Sequence, residues 1–142
     1  MFLLDTVVLS ELRKPKRDPG VVEWIEQQRT ADLFLSVVSI GEIERGIARQ
    51  QAENPDFAGE LAAWLDQVLV FYSDRILPFD LRAARRWGAL AAAIGNNSAD
   101  LMIAATALEH GLTVVTRNVA DFAPTGVRTN NPFGAFAGGS GR

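Results

Sequence analysis

The chain has 142 residues, enough for one domain with a hydrophobic core, and its 48% hydrophobic and 22% charged residues are ordinary for a globular protein. It contains no cysteine and one histidine, which excludes disulfide bonds and a structural zinc site and fits a reducing cytoplasm, where we expect it to act. Its net charge of −3 argues against holding nucleic acid by bulk positive charge. No apolar run approaches the roughly 20 residues of a membrane span, so we expect no membrane association.

Apolar strand-like segments alternate with amphipathic helical segments along the chain. This alternation predicts an α/β fold, in which a single domain over residues 1–133 has a mostly parallel central β-sheet flanked by helices. Residues 134–142 are rich in Gly and Ala, which predicts a disordered tail. In chain order, the predicted elements are a strand over 2–5, helices over 6–13 and 19–28, a strand over 33–36, helices over 39–53 and 57–69, a strand over 76–78, helices over 81–94 and 98–109, and strands over 112–116 and 127–129.

Four acidic residues lie where a strand or a loop gives way to a helical pattern: Asp5, Glu42, Asp100 and Asp121. In a parallel α/β sheet, the strand ends and the helix starts that follow them converge on one crevice. Four carboxylates brought together there would repel one another unless cations lay between them. Oxygen ligands without Cys or His suit Mg²⁺ or Mn²⁺, so a divalent metal site is the leading hypothesis.

Each acid also has a purely structural interpretation, because acidic residues stabilise helix N-termini through the macrodipole and the open backbone N–H groups. Asp5 would cap the helix that follows it, and Ser39 with Glu42 has the spacing of a capping box. Asp100 is harder to explain in this way, because its helical neighbours at i+3, i+4 and i+7 are apolar. An unpaired buried carboxylate is costly, so Asp100 needs a cation or several hydrogen-bond donors.

Four stretches of the chain, in this order, resemble the PIN-domain ribonucleases, specifically the VapC-like toxins of bacterial type II toxin–antitoxin pairs. They are residues 4–12 (LDTVVLSEL), 39–46 (SIGEIERG), 99–107 (ADLMIAATA) and 116–122 (TRNVADF). Two places depart from the family pattern. Val7 stands where many relatives have Asn, and residues 96–98 read Asn-Asn-Ser where relatives often carry proline and apolar residues.

The resemblance implies a metal-dependent endoribonuclease that hydrolyses RNA phosphodiester bonds and leaves a 5′-phosphate and a 3′-hydroxyl. It assigns the catalytic and metal-binding quartet to Asp5, Glu42, Asp100 and Asp121, with Mg²⁺ or Mn²⁺ as the cofactor. It places Thr116 at a hydroxyl position that often assists near the metal. It also implies a cognate antitoxin that blocks the site, and a homodimer.

Basic residues near the acids are the candidates for RNA contacts, since the chain as a whole is acidic. Arg45 and Arg49 follow Glu42 on its own predicted helix and would be either phosphate contacts or ion-pair partners of that helix. The basic run over residues 13–17 (RKPKR) lies close in sequence to Asp5 and would be either a solvated turn or a contact to the RNA backbone.

Two other functions stay open at this point. A non-catalytic PIN-like module that binds RNA or protein would keep the acids as helix caps and would bind RNA equally well with and without Mg²⁺. An Asp-dependent phosphotransfer protein would use Asp5 as phosphoacceptor or nucleophile, but haloacid-dehalogenase-like phosphatases want a second Asp where Val7 stands. His110, at a predicted helix C-terminus, is interpreted as compensating the helix dipole rather than as a ligand.

Overall fold

The computed structural model describes residues 1–134, so the predicted tail lies outside the described residues except for Gly134. Within the described part there are five strands, β1 (Phe2–Leu4), β2 (Leu33–Ser36), β3 (Ile76–Leu77), β4 (Thr113–Val115) and β5 (Thr129–Asn130). They form one parallel sheet in the order β3-β2-β1-β4-β5, which confirms the predicted α/β fold.

Helices cover both faces of this sheet, and side chains of the central strands alternate between two hydrophobic clusters. The helices are α1 (Thr6–Glu11), α2 (Pro19–Gln27), α3 (Val37–Glu53), α4 (Pro55–Phe71), α5 (Leu81–Ile94), α6 (Ala99–His110) and α7 (Val119–Phe122). Leu4 and Val115 pack with α1 to α4, whereas Leu3 and Val114 pack with α6 and α7. Among residues 1–134, no helix has the length and the apolar character needed to cross a membrane.

The start of α3 differs from the sequence prediction, which placed it at Ser39. The helix begins at Val37 because Ser36, the last residue of β2, is its N-cap, and the Ser36 Oγ accepts a hydrogen bond from the Val38 N–H at 3.0 Å. Ser39 therefore lies inside the helix, where it is fully buried. The predicted capping box between Ser39 and Glu42 is wrong, because the Glu42 carboxylate accepts a hydrogen bond from the Thr6 hydroxyl instead.

The strand order changes direction beside β1, which is where open α/β sheets form a binding crevice. From β1 the chain moves to β2 on one side, whereas β4 pairs with β1 on the other. The register places Leu4 opposite Val115, and the Asp5 N–H donates to the Val115 carbonyl at 3.0 Å. Asp5 and Thr116, the next residues after β1 and β4, therefore emerge side by side at the carboxyl edge of the sheet.

Candidate active site

Asp5 is the most constrained of the four acids, and it is only 3% exposed. Its Oδ1 accepts a hydrogen bond from the Thr6 N–H at 2.8 Å, so it does cap α1. Its Oδ2 accepts a hydrogen bond from the Thr116 hydroxyl, also at 2.8 Å. Thr116 is itself fully buried, and its Oγ1 accepts from the Asn118 N–H at 2.9 Å. Both carboxylate oxygens of Asp5 are thus held in one orientation.

The pKa of Asp5 is raised from 3.8 to about 6. Burial is the largest cause, and the negative charges of Asp100 and Glu42 raise the pKa further, while the hydrogen bonds from Thr116 and from the Thr6 N–H lower it. The carboxylate of Asp5 is therefore costly to ionise in the protein alone. A cation beside it would remove that cost.

Asp100 lies in the first turn of α6, on the face that carries fully buried Ile103, Ala104 and Ala107, as the helical spacing predicted. The pKa of Asp100 is also raised, first by burial and then by the negative charges of Asp121 and Glu42. Since Asp100 also raises the pKa of Asp5, all four acids are electrostatically coupled through Asp100.

Glu42 is oriented by a hydroxyl pair that the sequence patterns did not indicate. The Thr6 hydroxyl donates to Glu42 Oε1 at 2.6 Å, and the Thr6 and Ser39 hydroxyl oxygens lie 2.8 Å apart. Thr6 therefore contacts two acids, Asp5 through its N–H and Glu42 through its hydroxyl. The sequence feature that could have indicated this contact is Ser39, a polar residue that shares the buried face of α3 with Ile43 and Ile47.

The four acids are linked by their charges but do not meet at a point. Within residues 1–134, no three carboxylate or imidazole side chains converge at metal-ligand spacing. Asp121 lies exposed on α7, so packing does not fix its side chain, and Glu42 is turned toward Thr6. The donor set still fits a hard divalent cation, because Mg²⁺ is commonly held by one or two carboxylates and keeps several of its waters.

Two cavities flank the acids. A polar cavity of about 510 Å³ is lined by Asp100 and Asp121 together with the loop over residues 96–98. A second cavity, of about 250 Å³, is lined by Thr6 and Glu42 and extends between α1, α3 and α4. Arg45 and Arg49, for which both phosphate contacts and helix ion pairs were considered, are exposed on α3 and line neither of these cavities.

Glu11 is a buried charged residue that sequence reasoning did not single out, and it is 6% exposed. Its carboxylate accepts hydrogen bonds from Lys14 Nζ at 2.9 Å and from the Asp18 N–H at 2.8 Å. The hydrogen bond from Lys14 is the main reason that the pKa of Glu11 lies below its ordinary value. Glu11 therefore anchors the basic run over residues 13–17, where only an excess of positive charge was visible in the sequence.

A parallel sheet with a buried acid at its switch point and further acids around it is the arrangement of a PIN domain. The family model described as PIN domain matches residues 2–124, and the chain belongs to that family. The resemblance predicted from the four sequence stretches is confirmed.

Similar proteins match over nearly the whole chain. The VapC ribonuclease Y4jK of Sinorhizobium fredii is 36% identical over 140 residues, which are 94% of this chain and 98% of that protein. The toxin FitB of Neisseria gonorrhoeae is 34% identical over 139 residues, 94% of this chain and 99% of that protein. In the crystal structure of FitAcB from Neisseria gonorrhoeae, a chain 36% identical superposes with a TM-score of 0.81 and covers 93% of this chain and 98% of its own length.

Proposed function

We propose that this protein is a metal-dependent endoribonuclease that hydrolyses RNA phosphodiester bonds and acts in the cytoplasm as the toxin of a toxin–antitoxin pair. The observation that carries the proposal is Asp5, a buried carboxylate at the switch point whose pKa is raised to about 6 by burial and by neighbouring acids. The family and the names of the relatives, a VapC ribonuclease and a toxin, support the substrate class and the role.

Asp5 and Asp100 would hold the divalent ion directly, with Glu42 and Asp121 binding it or its waters. When bound, Mg²⁺ or Mn²⁺ would supply Lewis acidity and a positive charge that stabilises negative charge developing on the phosphate. Thr116 and the Thr6 N–H keep the Asp5 carboxylate facing the centre.

Thr6 and Ser39 do the corresponding positioning for Glu42. Because the Thr6 hydroxyl donates to Glu42 at 2.6 Å, the Glu42 carboxylate stays beside the Asp5 end of the crevice rather than turning to solvent. The coupling of charges between Asp100 and the other three acids then defines the place where positive charge is most strongly favoured.

A cognate antitoxin is the partner proposed for this site, together with a second copy of the chain as a homodimer. Solved structures similar to this chain include the FitAB complex, bound to the IR36 DNA fragment, at 30% identity and a TM-score of 0.73. The acidic crevice attracts guanidinium and ammonium groups, and guanidinium pairs with carboxylates in bidentate fashion. We therefore propose that the antitoxin places an Arg or a Lys among the four acids.

The two rival functions differ in what they demand of Asp5. A haloacid-dehalogenase-like phosphatase would use Asp5 as the nucleophile together with a second Asp two residues later, where this chain has Val7. A non-catalytic binding module would not need the charges of Asp100 and Glu42 placed where they raise the pKa of the buried Asp5. These features favour a metal-dependent enzyme over both.

Replacing the acids tests the proposal. Asp5→Asn and Asp100→Asn should each reduce Mg²⁺-dependent RNA cleavage by more than the about 10–100-fold that is typical of residues that only orient metal ligands. The measurement is the single-turnover cleavage rate of labelled RNA with Mg²⁺, with Mn²⁺ and with EDTA. Asp66→Asn is the matched control, because Asp66 is an exposed acid on α4 that lines neither cavity.

Two outcomes would contradict the assignment. Unchanged cleavage by Asp100→Asn would show that Asp100 is not a metal ligand required for the reaction. RNA binding that is equal with and without Mg²⁺, accompanied by no cleavage in the wild type, would favour the non-catalytic module.

A further inference from the structure

The second cavity, here called the α1–α4 groove, is continuous with the proposed active site. It is the cavity of about 250 Å³ that shares Thr6 and Glu42 with the acidic centre. Arg13, Gln50, Phe57 and Trp64 also line it. Its volume lies just below the roughly 300–1,000 Å³ of small-molecule pockets, so it has room for about one nucleotide and not for a duplex.

Arg13 is the member of the basic run that faces this groove. Lys14 is paired with Glu11 at 2.9 Å, and the Arg17 Nε donates to the Lys14 carbonyl at 3.1 Å. Within residues 1–134, the structure records no ion pair and no hydrogen bond for the Arg13 guanidinium, which lies 5.2 Å from the centre of the Phe57 ring. Stacking on the ring orients the guanidinium and leaves its N–H groups for an anion.

The rest of the groove offers a surface for a base. Phe57 and Trp64 provide aromatic area, and unpaired bases stack on aromatic side chains with little dependence on sequence. The Gln50 amide, which makes no side-chain hydrogen bond within the described residues, can donate to and accept from a base edge. Arg13 thus matches a phosphate, Phe57 and Trp64 match the face of a base, and Gln50 matches its edge.

We infer that the α1–α4 groove binds one unpaired nucleotide of the RNA next to the scissile phosphodiester, with Arg13 on its phosphate and Gln50 on its base edge. The inference rests on the proposed ribonuclease function and names where its substrate lies. Among the basic residues considered for RNA contacts, it assigns Arg13 of the run over residues 13–17 to this phosphate. A phosphate beside four carboxylates needs such a compensating cation, and Arg13 is the arginine that lines the groove.

The first test measures RNA binding without cleavage, in an Asp100→Asn background with EDTA, by fluorescence anisotropy of a short labelled single-stranded RNA across a salt series. Arg13→Gln should lower the salt slope by about 0.7, the value for one phosphate contact on a single strand, which is about fivefold in affinity at 0.1 M salt. Arg17→Gln is the matched control, since Arg17 belongs to the same run, is exposed and does not line the groove. It should leave affinity and slope unchanged.

The second test fills the groove without removing a polar group. A Cβ added at Gly46, which lines the groove on α3, or at Gly59, which lies exposed on α4 outside it, meets no atom within 4 Å. Leu is also a better helix former than Gly, so both Gly→Leu variants should fold. Gly46→Leu should weaken RNA binding by about tenfold, as expected where stacking of one base worth about 1–3 kcal/mol is lost, and Gly59→Leu should not.

The outcomes separate this inference from the proposed function. If the wild type cleaves RNA and Arg13→Gln and Gly46→Leu bind RNA like their controls, the nucleotide site is overturned while the ribonuclease stands. If these variants lose affinity for the antitoxin but keep RNA affinity, the groove is a protein-binding site and the inference is again overturned. If the wild type neither binds nor cleaves RNA with Mg²⁺ or Mn²⁺, both proposals fail together.

Discussion

Asp5 carries two roles that are often treated as alternatives. Its Oδ1 caps α1 through the Thr6 N–H, and its Oδ2 is held by Thr116 at the centre of the acidic crevice. A cap alone would be satisfied by a solvated carboxylate near a helix start. Burial to 3% exposure, with two acids raising its pKa, has a stability cost that a cap does not require.

That cost predicts a pH dependence of stability in the metal-free protein. The folded-state pKa of Asp5 is about 6 and its ordinary value is 3.8, so the folded state retains a proton that the unfolded state releases between these values. The free energy of unfolding should therefore fall by about 3 kcal/mol as the pH rises from below 3.8 through about 6. Urea unfolding in EDTA at several pH values measures this contribution.

Asp5→Asn should remove the part of the decline that comes from Asp5, because an amide has no proton to lose, and leave the smaller part that comes from the raised pKa of Asp100. Asp66→Asn is again the control and should keep the wild-type profile. Added Mg²⁺ should restore stability to the wild type above pH 6, since a ligand bound only by the folded state stabilises it. An identical decline in wild type and Asp5→Asn would show that Asp5 is not the group responsible.

At the scale of elements, the connection between α1 and α2 is organised by one buried carboxylate. Glu11 ends α1 and accepts from the Asp18 N–H, while the Asp18 side chain caps α2 through the Gly20 and Val21 N–H groups. Glu11 also forms a salt bridge with Lys14, which holds the basic run over residues 13–17 against the end of α1. This arrangement leaves Arg13, the residue before Lys14, beside the α1–α4 groove.

Glu11→Gln should therefore destabilise the fold by about 1–3 kcal/mol at neutral pH, which is typical of losing hydrogen bonds to a charged group. The pKa of Glu11 is lowered below 4.5, so its stabilisation is present above that value and is lost as the pH falls through the folded-state pKa. The difference between wild type and variant should shrink accordingly in acid. Glu26→Gln, an exposed acid of α2, provides the comparison in the same urea titration. A difference that is constant with pH would contradict the assignment.

At the scale of the whole molecule, the chain is acidic and concentrates negative charge at one crevice. A net charge of −3 does not attract RNA over long distances, so substrate binding depends on local cations, and the same crevice attracts a basic group of a partner. We expect the complex with the antitoxin to cleave RNA far more slowly than the free protein. Replacing the inserted Arg or Lys of the antitoxin by Ala should restore cleavage without dissociating the complex.

The measurement compares cleavage rates of free protein, complex and variant complex, with complex integrity checked by size-exclusion chromatography. Equal rates for the free protein and the wild-type complex would contradict inhibition at this site. Restored cleavage only after dissociation would show that the antitoxin acts by covering the surface rather than through one basic side chain.

The sequence alone determined the α/β architecture, because alternation of short apolar runs with amphipathic segments leaves few other ways to bury both faces of a sheet. It also placed Asp100 on a buried helix face from its three apolar helical neighbours, and it identified the family from four ordered stretches. The sequence did not predict the N-cap of α3 correctly, because Ser36 and Ser39 both suit that position. In the fold, Ser36 caps the helix and Ser39 contacts the Thr6 hydroxyl.

Tertiary structure decided which polar groups meet. Thr116 lies 111 residues from Asp5 and Thr6 lies 36 residues from Glu42, so no local pattern relates them, yet the strand register and the packing of α1 on α3 place them within hydrogen-bond distance. The same holds for the basic residues. Helical spacing placed Arg45 and Arg49 near Glu42 as either phosphate contacts or ion-pair partners, but both are exposed and line neither cavity. Arg13, beside the pair of Glu11 and Lys14, lines the groove.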